Sequence, residues 1–137
     1  MWPTWVDERG SDVLETTECR RLLAVGAVRH RPGHLGISGE EAPTVLPVDY
    51  AVDGPDVVIR VGEGLFHNLV GEFVAFEVED FDDDPPWSVL IRGLAQAESS
   101  DRVASRLPPP RVAEPGRRLV RIRSDFVTGR RLGKRSS

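Results

Sequence analysis

The residues able to do chemistry are few, and the familiar catalytic patterns are missing. His30, His34 and His67 are scattered, and a metal site built from His30 and His34 needs a third ligand that the adjoining sequence does not supply, so no metal is expected. His67 reads as solvent-facing. Cys19 falls on the apolar stripe of a helical pattern, where a buried inert thiol is expected rather than a nucleophile. The absence of GxGxxG, GxxxxGKS/T, HExxH and GxSxG patterns removes the main support for Rossmann dinucleotide binding, P-loop chemistry, zincin chemistry and a hydrolase elbow. What remains is concentrated between Thr44 and Gly93, in TVLPVDYAVDGPDVVIRVGEGLFHNLVGEFVAFEVEDFDDDPPWSVLIRG. There Pro47-Val48-Asp49-Tyr50 and Trp87-Ser88 bring apolar and aromatic surface, and Arg60 brings a planar fork that suits a phosphate.

Short elements must position these groups. Thr16 can act as an N-cap, and Cys19, Leu22, Leu23 and Gly26 follow a helical stripe, predicting a helix of roughly ten residues ended by Gly26. Ala27 to Ser38 reads as a strand interrupted by Pro32-Gly33, followed by a turn at Gly39-Glu40-Glu41. Thr44 to Val52 and Val57 to Val61 are β-rich and flank Asp53-Gly54-Pro55-Asp56, a hairpin signal. Gly64 to Gly71 carries Phe66, Leu69 and Val70 at helical spacing. Phe73 to Glu79 alternates, with Val74, Phe76 and Val78 on one face and Ala75, Glu77 and Glu79 on the other, so it predicts a half-buried strand. An acidic loop from Asp80 to Pro86 leads into a strand from Trp87 to Gln96. A helical turn from Ser100 to Leu107 then meets Pro108-Pro109-Pro110, which cannot continue it. Arg118 to Ser124 is the last predicted strand, and FVTGRRLGKRSS closes the chain as a polar segment. Six short strands with one clear hairpin and three short helices predict a mainly β fold, a closed or nearly closed antiparallel barrel capped by helices.

At 137 residues the chain is expected to form one domain, with an arm over 1–13, a barrel over 14–132 and a flexible tail over 133–137. A chain of this size buries ~68% of the surface its unfolded form exposes. The single cysteine excludes a disulfide framework and points to a reducing, cytoplasmic setting. No apolar run reaches the ~18 residues of a membrane span, and the N-terminus lacks the order of a signal peptide, so no membrane association is expected. A net charge of −4 argues against nucleic acid as partner, although nine of the eighteen basic residues lie between Arg111 and Arg135. Six acids crowd between Glu77 and Asp84, a segment read as solvated surface. Trp2 and Trp5 in the arm are expected to dock on a partner subunit.

The order LETTECRRLLAVGAV, LPVDYAVDGPDVVIRVGEG, VAFEVEDFDDDPPWSVLIRG and VRIRSDFVTGRRL resembles the pyridoxamine 5′-phosphate oxidase-like family of FMN-binding split barrels, over about Leu14 to Leu132. The resemblance implies a six-stranded antiparallel split β-barrel, a homodimer and FMN held at the subunit interface. It implies that Pro47, Val48, Asp49 and Tyr50 run beside the flavin ring and that Arg60, with Val61 and Gly64, meets the ribityl or phosphate end. Trp87 and Ser88 then approach from the facing subunit, and Arg130, with Arg131, closes over the site. A flavin needs apolar walls, backbone donors and positive charge, which these residue types supply. Asp49 departs from the family's usual Asn and, when ionised, can only accept hydrogen bonds. Family members also carry a Gly-x-Lys or Gly-x-Arg after the Arg60 strand, where this chain has Gly64-Leu65-Phe66. One lost charge-assisted contact costs about 1.5–3 kcal/mol, which implies weakened or absent FMN binding.

Two functions follow. One is a flavin-dependent oxidoreductase acting on an unidentified small-molecule substrate, with FMN or a deazaflavin coenzyme as cofactor. The other is a non-catalytic barrel that stores or senses a flavin, or has lost its cofactor.

Overall fold

The structure is a computed structural model and describes residues 12–110 and 117–132. In chain order the elements are β1 (Asp12–Val13), α1 (Thr16–Val28), β2 (Gly33–Ile37), β3 (Thr44–Val48), β4 (Tyr50–Asp53) and β5 (Asp56–Val61). They continue with α2 (Glu63–Leu69), β6 (Phe73–Asp80), β7 (Trp87–Glu98), α3 (Asp101–Ala104), β8 (Arg118–Ile122) and β9 (Phe126–Arg131). The predicted arm is described only at Asp12 and Val13, which pair with β9; Trp2, Trp5 and the tail over 133–137 lie outside the described residues. Among the described residues no helix is long and apolar enough to cross a membrane.

Helix α1 buries the expected stripe of Cys19, Leu22, Leu23 and Gly26, but it does not stop at Gly26. The stop comes from His30, whose φ of 56° lies in the left-handed region. The His30 amide donates to the Ala27 carbonyl at 3.1 Å and the Arg31 amide to the Gly26 carbonyl at 2.9 Å, the paired bonds of a Schellman end. The predicted strand from Ala27 is corrected accordingly, because the residues before Gly33 belong to the helix end and its turn. Gly26 serves close packing: a Cβ there would lie 2.6 Å from the Tyr50 hydroxyl and 3.3 Å from the Trp87 ring.

The alternation in β6 holds, with Val74, Phe76 and Val78 buried between neighbours β2 and β7. The β4–β5 hairpin turns through Gly54-Pro55 with Gly54 at φ 59°, as a type II′ turn requires at its first central position. Pairing follows the path β3-β2-β6-β7-β8-β5-β4. Its two ends, β3 and β4, are consecutive segments separated by Asp49 alone, so the antiparallel sheet curls until its ends meet at that residue. The predicted Thr44 to Val52 strand is therefore broken there, its first half bonded to β2 and its second to β5.

Strand β7 belongs to both halves of the barrel. Along one edge it pairs with β9 over residues 87–92 and with β8 over residues 95–98. Between those stretches Arg123, Ser124 and Asp125 oppose Gly93 and Leu94, one extra residue that makes a bulge. The Leu94 amide donates to Asp125 Oδ2 and the Ser124 amide to Asp56 Oδ1, each at 3.0 Å, so amides that the broken ladder strands still find acceptors. A Cβ on Gly93 would sit 1.7 Å from the Arg123 carbonyl, and only glycine fits.

Strand β9 is an addition to the six predicted strands: Phe126–Arg131, read only as a polar segment within the barrel region, pairs with β7 and β1. Nine strand segments thus replace the six expected. With β3–β4 and β8–β9 each taken as one interrupted run, and the two-residue β1 set aside, six runs encircle a core that includes Leu22, Phe66, Phe76, Trp87, Ile91 and Ile122. The fold is mainly β with short helices, as anticipated, and α1 packs on β4, β6, β7 and β9.

Candidate functional site

The break at Asp49 opens a cleft. Val57, Val58, Ile59 and Val61 of β5 are buried while Arg60 stays half-exposed, and β3 and the residue after it leave Pro47, Val48 and Asp49 accessible beside it. These four line an open cleft of about 410 Å³ together with Pro32, Pro110 and Arg117. The volume falls within the ~300–1,000 Å³ of small-ligand sites. Three prolines and Val48 supply apolar wall, Arg60 and Arg117 supply positive charge, and Asp49 adds an acceptor.

Arg60 is held in place by the proline run. Its Nη1 donates to the Pro108 carbonyl at 2.8 Å, using one of five guanidinium N–H groups. Pro109 and Pro110 have no amide hydrogen, so this stretch offers carbonyls without competing donors. Sequence reasoning treated these prolines only as a spacer and missed Pro32, Pro110 and Arg117 as lining residues. Their common signal, proline or arginine at the end of an element, is too widespread to single them out.

The remaining predicted site residues do not line the cleft. Tyr50, Val61 and Trp87 are 4%, 2% and 0% exposed, and their side chains turn into the core. The Tyr50 hydroxyl donates to the Leu23 carbonyl at 2.6 Å, and burial pushes its pKa well up, keeping it a donor. The Trp87 indole donates to Asp83 Oδ2 at 3.0 Å. Within this chain Trp87 stands behind the sheet, because alternation from Ser88 sends it inward. Ser88 and Arg130 are cross-strand partners on β7 and β9, and Arg130 is buried. Gly64 sits in the first turn of α2, where a Cβ would meet nothing within 4 Å.

Leu65-Phe66 also changes meaning. Phe66 is 6% exposed and points into the core from α2, so position 66 does not face the cleft. A cation covers it from outside: the Arg118 guanidinium lies 3.9 Å from the Phe66 ring centroid and its Nη1 lies 3.2 Å from Glu63 Oε1.

The acidic segment is more than solvated surface. Asp80 is 1% exposed and sits between Arg29 Nη1 at 3.0 Å and Arg31 Nη2 at 2.8 Å, tying the end of α1 to the β6–β7 connection. Burial pushes its carboxyl up, but the Arg29 hydrogen bond, the Asp82 amide and the Arg31 charge outweigh it, and the pKa ends below the usual range.

Comparison with known proteins agrees with this architecture. The pyridoxamine 5′-phosphate oxidase family profile matches residues 15–131. No curated protein matches the chain. Among solved structures, the FAD-binding protein from Mycobacterium smegmatis is 25% identical with a TM-score of 0.68, covering 86% of this chain and 97% of that one. A candidate pyridoxamine 5′-phosphate oxidase from Corynebacterium glutamicum is 27% identical with a TM-score of 0.72, covering 88% and 96%. An FAD-binding protein from Mesorhizobium loti shares the fold at 20% identity and a TM-score of 0.71, covering 88% and 97%. With the profile spanning nearly all of the barrel, the chain belongs to the pyridoxamine 5′-phosphate oxidase-like family.

Proposed function

We propose that this protein binds a flavin nucleotide, FMN foremost, in the cleft between Pro47, Val48, Asp49 and Arg60, and that the loaded protein is an oxidoreductase for a small substrate. The observation that carries this reading is convergence: Pro32, the run from Pro47 to Asp49, Arg60, Pro110 and Arg117, from five separate points of the chain, meet in one cleft whose wall is apolar and whose cations, Arg60 and Arg117, suit a phosphate. The FAD-binding neighbour from Mycobacterium smegmatis supports a flavin as the ligand class. A bound flavin supplies hydride or electron transfer; this chain's residues orient it, and the Pro108 carbonyl fixes the Arg60 guanidinium before the ligand arrives. The reading includes a homodimer with the cofactor between subunits.

A second reading, flavin or deazaflavin storage without turnover, draws on the lining itself, whose described residues offer Asp49 for proton transfer but no histidine, cysteine or tyrosine. Absorbance of freshly purified protein, followed by fluorescence titration with FMN, FAD and a deazaflavin, tests the shared premise. Arg60→Ala should weaken FMN by one charge-assisted contact, about 1.5–3 kcal/mol or roughly tenfold to over a hundredfold. Colourless protein that neither quenches nor is stabilised by excess flavin overturns both readings. Bound flavin that reduces but passes no electrons to small acceptors favours storage.

A further inference from the structure

We propose that His34, Glu77 and Glu79 form a divalent-cation site on the outer face of the barrel, suited to zinc. The strand register, invisible in sequence, assembles it: His34 of β2 lies directly opposite Glu77 of β6, and Glu79 is the next residue on that face. Directly opposed residues hold their Cβ atoms about 5 Å apart and diagonal ones about 7–8 Å, within reach of long side chains. One ligand atom from each residue lies within 4.8 Å of the others, and His34 Nδ1 is 3.9 Å from Glu77 Oε1.

That separation is too long for a hydrogen bond, and it leaves His34 Nδ1 buried with no hydrogen-bond partner among the described residues. A cation set among the three would give that nitrogen a partner and would neutralise the two neighbouring carboxylates. The carboxylates tell the same story. Four other acids of the barrel are gathered by arginine: Arg121 binds Asp53, Asp56 and Glu98, and Arg29 and Arg31 bind Asp80. Glu77 and Glu79 stand side by side with no arginine or lysine paired to either among the described residues, although the chain has eighteen such cations.

One nitrogen and two oxygens favour a borderline ion over magnesium or calcium, which prefer all-oxygen sets. Zinc bonds of about 2.0–2.2 Å place tetrahedral ligand atoms roughly 3.3 Å apart, so the three side chains need only draw together, leaving a fourth position for water. The site sits one strand from the cleft, because Pro47 is the other cross-strand neighbour of His34. It does not depend on a flavin.

The test uses the full chain with any affinity tag removed, stripped with chelator and titrated with ZnCl₂ by calorimetry, with Co²⁺ absorption as a second readout. One equivalent of zinc should bind, and His34→Ala, Glu77→Gln and Glu79→Gln should each weaken it at least about tenfold, since even outer partners of metal ligands cost 10–100-fold. His67→Ala, on the exposed side of α2, should bind zinc as wild type does. The near-isosteric Glu77→Gln and Glu79→Gln decide the matter if His34→Ala fails to fold. No saturable binding by wild type, or unchanged binding in the two glutamine variants, overturns the proposal.

Discussion

Gly26 offers a direct test of how α1 is seated on the barrel. In an ordinary helix interior, Gly→Ala gains about 1 kcal/mol. Here the new Cβ would lie 2.6 Å from the Tyr50 hydroxyl, 3.1 Å from Val78 Cγ1 and 3.3 Å from the Trp87 ring. Overpacking costs about 1–3 kcal/mol, and pushing the hydroxyl off the Leu23 carbonyl costs about 1–3 kcal/mol more. Gly26→Ala should therefore destabilise by about 1–5 kcal/mol net, which at this size lowers the melting temperature by about 3–5 °C per kcal/mol. Tyr50→Phe removes both the hydrogen bond and the 2.6 Å obstacle. In that background, Gly26→Ala meets only the contacts at 3.1 and 3.3 Å and should cost less than about 1 kcal/mol. A double-mutant cycle by urea unfolding, at fixed protein concentration, should report coupling of at least about 1 kcal/mol. Additivity within about 0.5 kcal/mol, or stabilisation by Gly26→Ala alone, would refute the close approach of Tyr50 to the helix.

Arg121→Met removes the cation shared by Asp53, Asp56 and Glu98 and should lower the melting temperature by several degrees at pH 7. The Arg121 hydrogen bonds hold Asp53 and Glu98 below their usual pKa, so their contribution is present above the ordinary carboxylate range and lost as pH falls through the depressed values. The gap between wild type and variant should therefore narrow in melting curves below about pH 4, and a gap that widens there would reverse the assignment. Phe66→Lys should not tighten FMN in a titration, because position 66 faces the core; it should destabilise by about 3–5 kcal/mol in thermal melts.

What the sequence made legible was whatever local pattern decides. The alternation of Val74, Phe76 and Val78 gave β6, and Gly54 marked the β4–β5 hairpin because a positive φ has few alternatives to glycine. The end of α1 was misread for the converse reason: His30 adopts the left-handed residue's role, while Gly26 is needed for Tyr50. Strand β9 escaped notice because its burial is tertiary, with Gly129 packed beneath Cys19 and Arg130 beside Ser88. In the candidate site, Pro47, Val48, Asp49 and Arg60 were readable from motif and order. Which way Tyr50 and Trp87 point depends on the pleat of paired strands, and the grouping of His34 with Glu77 and Glu79 depends on register.

The bulge opposite Gly93 and Leu94 governs what lengths this chain tolerates. From Ile122 to Val127, both core-facing, the chain advances five positions while β7 advances four from Ala95 to Ile91. Deleting a single residue among 123–125 would make the two advances equal, erasing the bulge while Val127 stays opposite Ile91 and Gly129 stays against Cys19. The extra residue therefore acts as slack between the two halves of the barrel: taking it out preserves which side chains of β9 face the core and forfeits the local bonds of the Leu94 amide to Asp125 and the Ser124 amide to Asp56.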